Sequence, residues 1–233
     1  MERLDKIIGA QTEYSRKDIK KLVMQKRVSV NGNIVIKPDI KIDKEKDKVF
    51  IDGKEIQNVE NIYLILNKPM GYISATEDKK MPTVLDLIDS KYTYRELFPA
   101  GRLDKDTTGL MIITDDGKFA HNNLSPKKHI KKTYEVTIDI TVSEEMVKGF
   151  KEGILLNDGV CKSANIEITG EYTAIVTLTE GRYHQIKRMF GCFGAKVLKL
   201  HRISMGNLML PKDLKEGESR ELTKEEFRQI TEK

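Results

Sequence analysis

Apolar and polar residues follow two different periods along this chain. Between Ser15 and Lys26, Ile19, Leu22 and Val23 recur at i, i+3 and i+4 and line one face of a helix, while Ser15 followed by Asp18 is an N-cap with an acid at the third helical position. The opposite face carries Arg16, Lys17, Lys20 and Lys21. Val28 and Val30, then Ile34 and Ile36, make two alternating runs about Asn31-Gly32, a dipeptide that tolerates positive φ, and predict a hairpin. Val49-Phe50-Ile51, Asp52-Gly53 and Glu55-Ile56 predict a further strand and turn. Residues 1–58 therefore read as a small unit of two short helices against a small sheet, with a polar linker at Gln57 to Asn61.

Beyond the linker, strand signals dominate. Ile62 to Leu66 is a short buried strand stopped by Asn67-Lys68-Pro69, and Met111 to Thr114 runs into a turn at Asp115-Asp116-Gly117. Thr133 to Ile140 alternates, with Tyr134, Val136, Ile138 and Ile140 on one face, and Tyr172 to Thr179 is another β-rich run. Ile186, Met189, Phe190 and Phe193 form a helical stripe ending at Gly194, a good C-cap, and Thr223 with Glu226 opens a final capped helix. Many strands with few helices predict an α+β domain over 62–233, built on a mostly antiparallel mixed sheet flanked by helices.

Composition narrows the class. With 39% hydrophobic and 33% charged residues, 16 Gly and two Cys in 233 residues, disordered, collagen-like and disulfide-scaffold classes are excluded. No apolar run approaches the roughly 20 residues that span a bilayer, and the start is not a signal peptide, so the expectation is a cytoplasmic protein without membrane contact. Cys161 and Cys192 lie outside any metal-ligand spacing, and neither a metal nor a disulfide is expected. Net charge is only +5, yet Gly181 to Lys212 holds seven basic residues and no acid, and Lys127 to Lys132 holds four Lys in six positions. Such patches suit a polyanionic partner, and they equally suit two solvated basic faces.

Gly101-Arg102-Leu103-Asp104-Lys105-Asp106-Thr107-Thr108-Gly109 is a charged loop pinned by glycines ahead of an apolar strand, a frame that can present a carboxylate. It lacks the Gly-Lys-Ser/Thr ending of a phosphate-binding loop. Asp104 and Asp106, two apart, are poorly spaced to flank a glycosidic bond. By itself the segment also fits an Asp104 that caps a turn or pairs with Arg102. Tyr134 fits a packed core tyrosine, and His184 to Met189 a surface helix with a basic face.

Taken in order, Leu66-Asn67-Lys68-Pro69, Gly71, Gly101-Arg102-Leu103-Asp104 with Thr107 and Gly109, Lys132-Thr133-Tyr134 and Glu180 to Phe190 resemble the RsuA family of pseudouridine synthases over nearly the whole chain. The segment Arg3 to Gly53 is similar to the ribosomal-protein-S4-like RNA-binding domain that commonly precedes that catalytic domain. The resemblance implies a cofactor-free isomerase that turns uridine into pseudouridine within rRNA. It makes Asp104 the catalytic carboxylate, Lys187 the cation beside it and Tyr134 the ring against the uracil, helping to remove the C5 proton. Arg102 would fill the gap left by the flipped base. Phosphates would be held by Arg16, Lys17, Lys20 and Lys21, by Lys128 and Lys132, and by Arg182, His184, Gln185, Arg188 and Arg202. Tyr183-His184-Gln185-Ile186-Lys187-Arg188 and Leu200-His201-Arg202 look more like the small-subunit (16S) branch than the large-subunit (23S) one. The implied partner is rRNA within a small-subunit assembly particle, bound by a monomer. A non-catalytic RNA-binding or ribosome-assembly factor needs only the basic surface, and a hydrolase using Asp104 and Asp106 would release free uracil.

Overall fold

The structure, a computed structural model, describes residues 1–44, 46–56, 61–124 and 130–231. Most of the expected linker and Lys128 lie outside the described residues. The chain divides into two units, Met1–Ile62 with Asp89–Leu97, and Tyr63–Ile88 with Phe98–Lys233.

In the first unit, α1 (Leu4–Gln11) and α2 (Arg16–Met24) pack on a four-stranded sheet. The capping box forms as expected: the Asp18 amide donates to Ser15 Oγ at 3.2 Å and the Ser15 amide to Asp18 Oδ2 at 3.2 Å, which satisfies two of the donors that a helix start leaves open. Ile19, Leu22 and Val23 are buried against Leu4, Ile7 and Ile8 of α1 and against Val28, Val49 and Ile51 of the sheet. The strands are β1 (Val28–Val30), β2 (Asn33–Ile34), β3 (Val49–Ile51) and β4 (Lys54–Ile56), in the order β2-β1-β3-β4. Asn31 and Gly32 have φ of 51° and 81°, the left-handed pair that a two-residue hairpin loop requires. That loop fixes the register Val30↔Asn33 and Ser29↔Ile34. Ile34 therefore lies opposite Ser29 on the solvent side, and Val35 instead occupies the core. Ile34 and Ile36 are exposed, and β2 ends after two residues.

The second unit is built on β5 (Tyr63–Lys68), β6 (Thr108–Thr114), β7 (Lys132–Ile138), α3 (Glu144–Glu152), β8 (Leu155–Leu156), β9 (Gly159–Val160), β10 (Asn165–Gly170), β11 (Thr173–Leu178), α4 (Gln185–Gly191), β12 (Val197–Met205), β13 (Ser219–Glu221) and α5 (Lys224–Thr231). Its large sheet runs β10-β11-β7-β12-β6-β5-β13, with antiparallel neighbours except the parallel pair β12 and β6. β5 and β6 are buried almost throughout, as central strands covered on both faces are. On one face Ile65, Leu110, Ile112 and Met205 pack with Phe119 and Ile230. Elsewhere in the unit Phe150 of α3 meets Phe190 of α4 at 4.8 Å between ring centroids.

Tyr134, Val136 and Ile138 alternate inward on β7, whereas Ile140 lies past the strand's end and is exposed. The α4 stripe of Ile186, Met189 and Phe190 is buried, but the helix stops at Gly191, three residues before the expected C-cap. Cys161 is buried and Cys192 is exposed. The final helix is capped as expected, with the Glu226 amide donating to Thr223 Oγ1 at 3.2 Å and the Thr223 amide to Glu226 Oε2 at 2.8 Å. Among the described residues no helix is long and apolar enough to cross a membrane.

Candidate active site

The glycine-pinned loop is held from below by the segment that follows β5. Lys68, fully buried, donates from Nζ to the carbonyls of Thr107 at 2.8 Å, Pro69 at 3.0 Å and Lys105 at 3.3 Å. The Gly71 amide donates to Lys105 O at 2.9 Å. Ser74 Oγ donates to Leu103 O at 2.7 Å and accepts from the Leu103 amide at 2.9 Å. The backbone on both sides of Asp104 is thereby tied down, so its carboxylate is carried by a rigid frame rather than a free loop. Gly109 closes the frame with φ of 101°, and a Cβ there would stand 2.3 Å from Arg202 O. Only glycine lets β6 approach β12 this closely.

Facing the loop is the start of α4. Gln185 Oε1 accepts from the Arg182 amide at 3.0 Å and Gln185 Nε2 donates to Glu180 Oε1 at 2.6 Å, which fixes the turn into the helix. His184, with φ of 47°, is left-handed and sits at the N-cap position. His184 Nε2 lies 3.4 Å from Asp104 Oδ1, and Lys187 Nζ lies 3.5 Å from Asp104 Oδ2 and 2.5 Å from Asp106 Oδ1. Lys187 thus bridges two carboxylates, with Asp106 the nearer, where the sequence suggests a partner for Asp104 alone. Burial by itself would raise the Asp106 carboxyl, but the hydrogen bond and charge of Lys187 outweigh it and hold that carboxyl below its usual range.

The sheet lays out the rest of the site as one cross-strand row. Lys68 pairs with Gly109, Gly109 with Arg202, and Arg202 with Tyr134. Burial pushes the Lys68 ammonium down to about 8, against the opposing pull of Asp106 and Asp104. Lys132 is likewise pushed down to about 8 by burial and by the Arg202 charge. No ion pair compensates Lys68, Lys132 or Arg202 among the described residues.

Several residues expected to hold phosphates are committed elsewhere. Arg202 is only 2% exposed and donates from Nε to Leu110 O at 2.7 Å, because its place on β12 puts the side chain under the sheet's cover rather than at the surface. Arg182 donates to Gly159 O at 2.9 Å and Val160 O at 2.6 Å, and Arg188 grips both oxygens of Asp158 at 3.1 and 3.0 Å. Both arginines clasp the β8–β9 turn through their terminal nitrogens, while Arg188 Nε is buried without a hydrogen-bond partner. Gln185 is buried, and Lys132 is half-buried with Nζ 3.2 Å from Ile130 O. Arg102, Arg16, Lys17, Lys20 and Lys21 are exposed.

In the sequence Lys68 stands in a motif that assigns it no role, and Ser74 and Asp158 carry no signal. A lysine at the end of an apolar strand, followed by Pro, was the available hint for Lys68. Among the described residues no group of three or more His, Cys, Asp or Glu side chains is placed to hold a metal. Chemically the site offers one partly exposed carboxylate on a fixed backbone, a lysine and a histidine within 3.5 Å of it, and a buried tyrosine in the adjoining row.

Known proteins are similar to this chain in sequence and fold. Residues 62–191 fit the family model described as RNA pseudouridylate synthase. A protein of Yersinia pestis named ribosomal small subunit pseudouridine synthase A is 41% identical over 98% of this chain and 97% of its own. An uncharacterized RNA pseudouridine synthase of Bacillus subtilis is 40% identical over 99% of this chain and 98% of its own. A crystal structure described as a pseudouridylate synthase superposes with a TM-score of 0.70 at 39% identity, covering 99% of this chain and all of that one. By its pseudouridine synthase fold and these full-length likenesses, the chain belongs to the RNA pseudouridylate synthase family, in its RsuA-like branch.

Proposed function

We propose that this enzyme isomerises a uridine of small-subunit rRNA, with Asp104 as the catalytic carboxylate. The observation that carries the reading is the Asp104 carboxylate itself, set in a backbone pinned by Lys68, Gly71 and Ser74, with Lys187 and His184 3.5 and 3.4 Å away. In the reaction the bond from ribose C1′ to N1 breaks, a bond from C1′ to C5 forms, C5 loses its proton and N1 gains one. Nothing is oxidised, and no cofactor is consumed. A carboxylate serves this as a nucleophile toward sugar or base or as a base toward the ribose, and it must remain ionised once the RNA covers it. Lys187 supplies the nearby positive charge. Tyr134 lies against the uracil ring and assists removal of the C5 proton. Arg102, exposed at the head of the loop, fills the space of the extruded base, whose removal from the stack costs a few kcal/mol.

The first unit serves as an S4-like RNA-binding domain, a reading supported by its helix pair on a small sheet and by the solvent-facing cations of α2. The small-subunit assignment is supported by relatives in Yersinia pestis and Escherichia coli, named ribosomal small subunit pseudouridine synthase A and 41% and 39% identical to this chain. A monomer acting in the cytoplasm on a small-subunit assembly particle completes the proposal. The test is to incubate the protein with small-subunit rRNA, large-subunit rRNA and tRNA, followed by carbodiimide labelling and primer extension. The expected result is a stop at one small-subunit uridine. A stop only in large-subunit RNA overturns the substrate, and release of free uracil overturns the reaction.

A further inference from the structure

Tyr183, next to the catalytic edge, has no role in the reading above. The residue is 75% exposed, and its ring stacks on that of His184, with centroids 3.8 Å apart and an angle of 18° between planes. Side chains of consecutive residues ordinarily diverge. Here His184 adopts a left-handed backbone, a conformation that costs free energy in any residue but glycine and that gathers at ligand sites. The inner ring of the pair ends 3.4 Å from Asp104 Oδ1, while the outer face of Tyr183 is open. The result is a flat aromatic surface one ring beyond the carboxylate.

We propose that the stacked rings of Tyr183 and His184 form a platform for the unpaired nucleobase next to the uridine being isomerised. The proposal rests on the reading of Asp104 as the catalytic carboxylate. Extruding a uridine strips its neighbour of a stacking partner, and an exposed aromatic face beside the extrusion site replaces that partner for a base of any identity, because every base has a π-face. An amino acid or a lone phosphate gains nothing comparable from a flat, uncharged ring. Tyr183 is thus a positioning residue, acting through the neighbouring nucleotide rather than on the reacting atoms.

The test uses the full chain and an RNA oligonucleotide spanning the mapped uridine, together with versions abasic at the 5′ or the 3′ neighbour. Tyr183→Ala is expected to raise KM roughly ten-fold or more with kcat changed less than about three-fold, and Tyr183→Phe to restore KM, since stacking on an aromatic ring is of that order. One abasic RNA should cost the wild-type enzyme a similar factor and cost Tyr183→Ala little further. The abasic arm on wild type needs no variant to fold. Equal KM for wild type and Tyr183→Ala, or an abasic penalty unchanged by Tyr183→Ala, overturns the platform while leaving the reaction standing. Absence of pseudouridine from the wild-type reaction overturns the assignment of the reaction and the platform with it.

Discussion

The cations of α2 and the cations around α4 differ in what they already hold. Arg16, Lys17, Lys20 and Lys21 stand in solvent and form no ion pair among the described residues. Arg182, Lys187 and Arg188 are engaged with Glu180, Asp158, Asp104, Asp106 and the carbonyls of the β8–β9 turn. RNA affinity grows with the number of uncompensated cations that reach phosphates, through release of counterions. A cation that has a carboxylate of its own shapes the protein instead. The first group is therefore left free for a polyanion, and the second is committed to organising the residues around Asp104 and the β8–β9 turn.

The comparison is most severely challenged at the loop. Asp104→Asn keeps the shape of the side chain and removes its charge, so isomerisation should fall below about one per cent of wild type while RNA affinity stays within a few-fold. Gel-shift titration and pseudouridine mapping on the same protein check both halves, and residual turnover above that level would remove Asp104 from the centre of the mechanism. Next in size is Lys187→Met. Lys187 is the cation 3.5 Å from Asp104, so its loss removes an electrostatic stabiliser of the carboxylate, and turnover is expected to drop by roughly two to three orders of magnitude. Its carboxylate neighbours are left without their cation, so the Asp106 carboxyl should rise from its lowered position, which titration by NMR can follow.

A smaller effect is expected from changing Arg16, Lys17, Lys20 and Lys21 together to Gln. If three of them touch phosphates, the slope of log affinity against log salt should fall by about 2 to 3, at roughly 0.7 to 0.9 per contact, with turnover at saturating RNA retained. An unchanged slope in a variant that keeps its circular dichroism spectrum would return the α2 face to an ordinary solvated surface. The smallest effect belongs to Arg188→Gln, whose slope should move by less than about 0.3 because both of its terminal nitrogens are held by Asp158. Its consequence is structural. Arg188 holds the Asp158 carboxyl below its ordinary range, and a carboxylate lowered in the folded state adds stability above its unfolded pKa that is lost as pH falls. Thermal melts of variant and wild type should therefore differ at neutral pH, and the difference should shrink as pH falls through the lowered range of the Asp158 carboxyl.

Legibility followed range along the chain. The capping boxes at Ser15 and Thr223 and the Asn31-Gly32 turn were readable because three or four consecutive residues close those hydrogen bonds and dihedrals among themselves. The inward face of β7 was readable for the same reason, since alternation is a property of one strand. The fate of Ile34 was not, because it depends on which residue of β1 the loop places opposite it. At the site, Asp104 could be picked out from a glycine-bounded charged loop, but that loop's support by Lys68 could not, since the contacts join positions 37 and 39 residues apart.

By itself, then, the sequence determined the periodic elements, their caps and tight turns, the glycine frame around Asp104 and the order of motifs by which the family is recognised. Each of these is local chemistry or a linear pattern. Only the tertiary structure decided which cations are free. Arg202 looks in the sequence like any surface arginine, yet sheet register sets it between Gly109 and Tyr134 and buries it, while Asp158 comes to Arg188 from 30 residues away. Whether a charge can meet a phosphate depends on burial and on partners brought by distant segments, and those are properties of the packed chain.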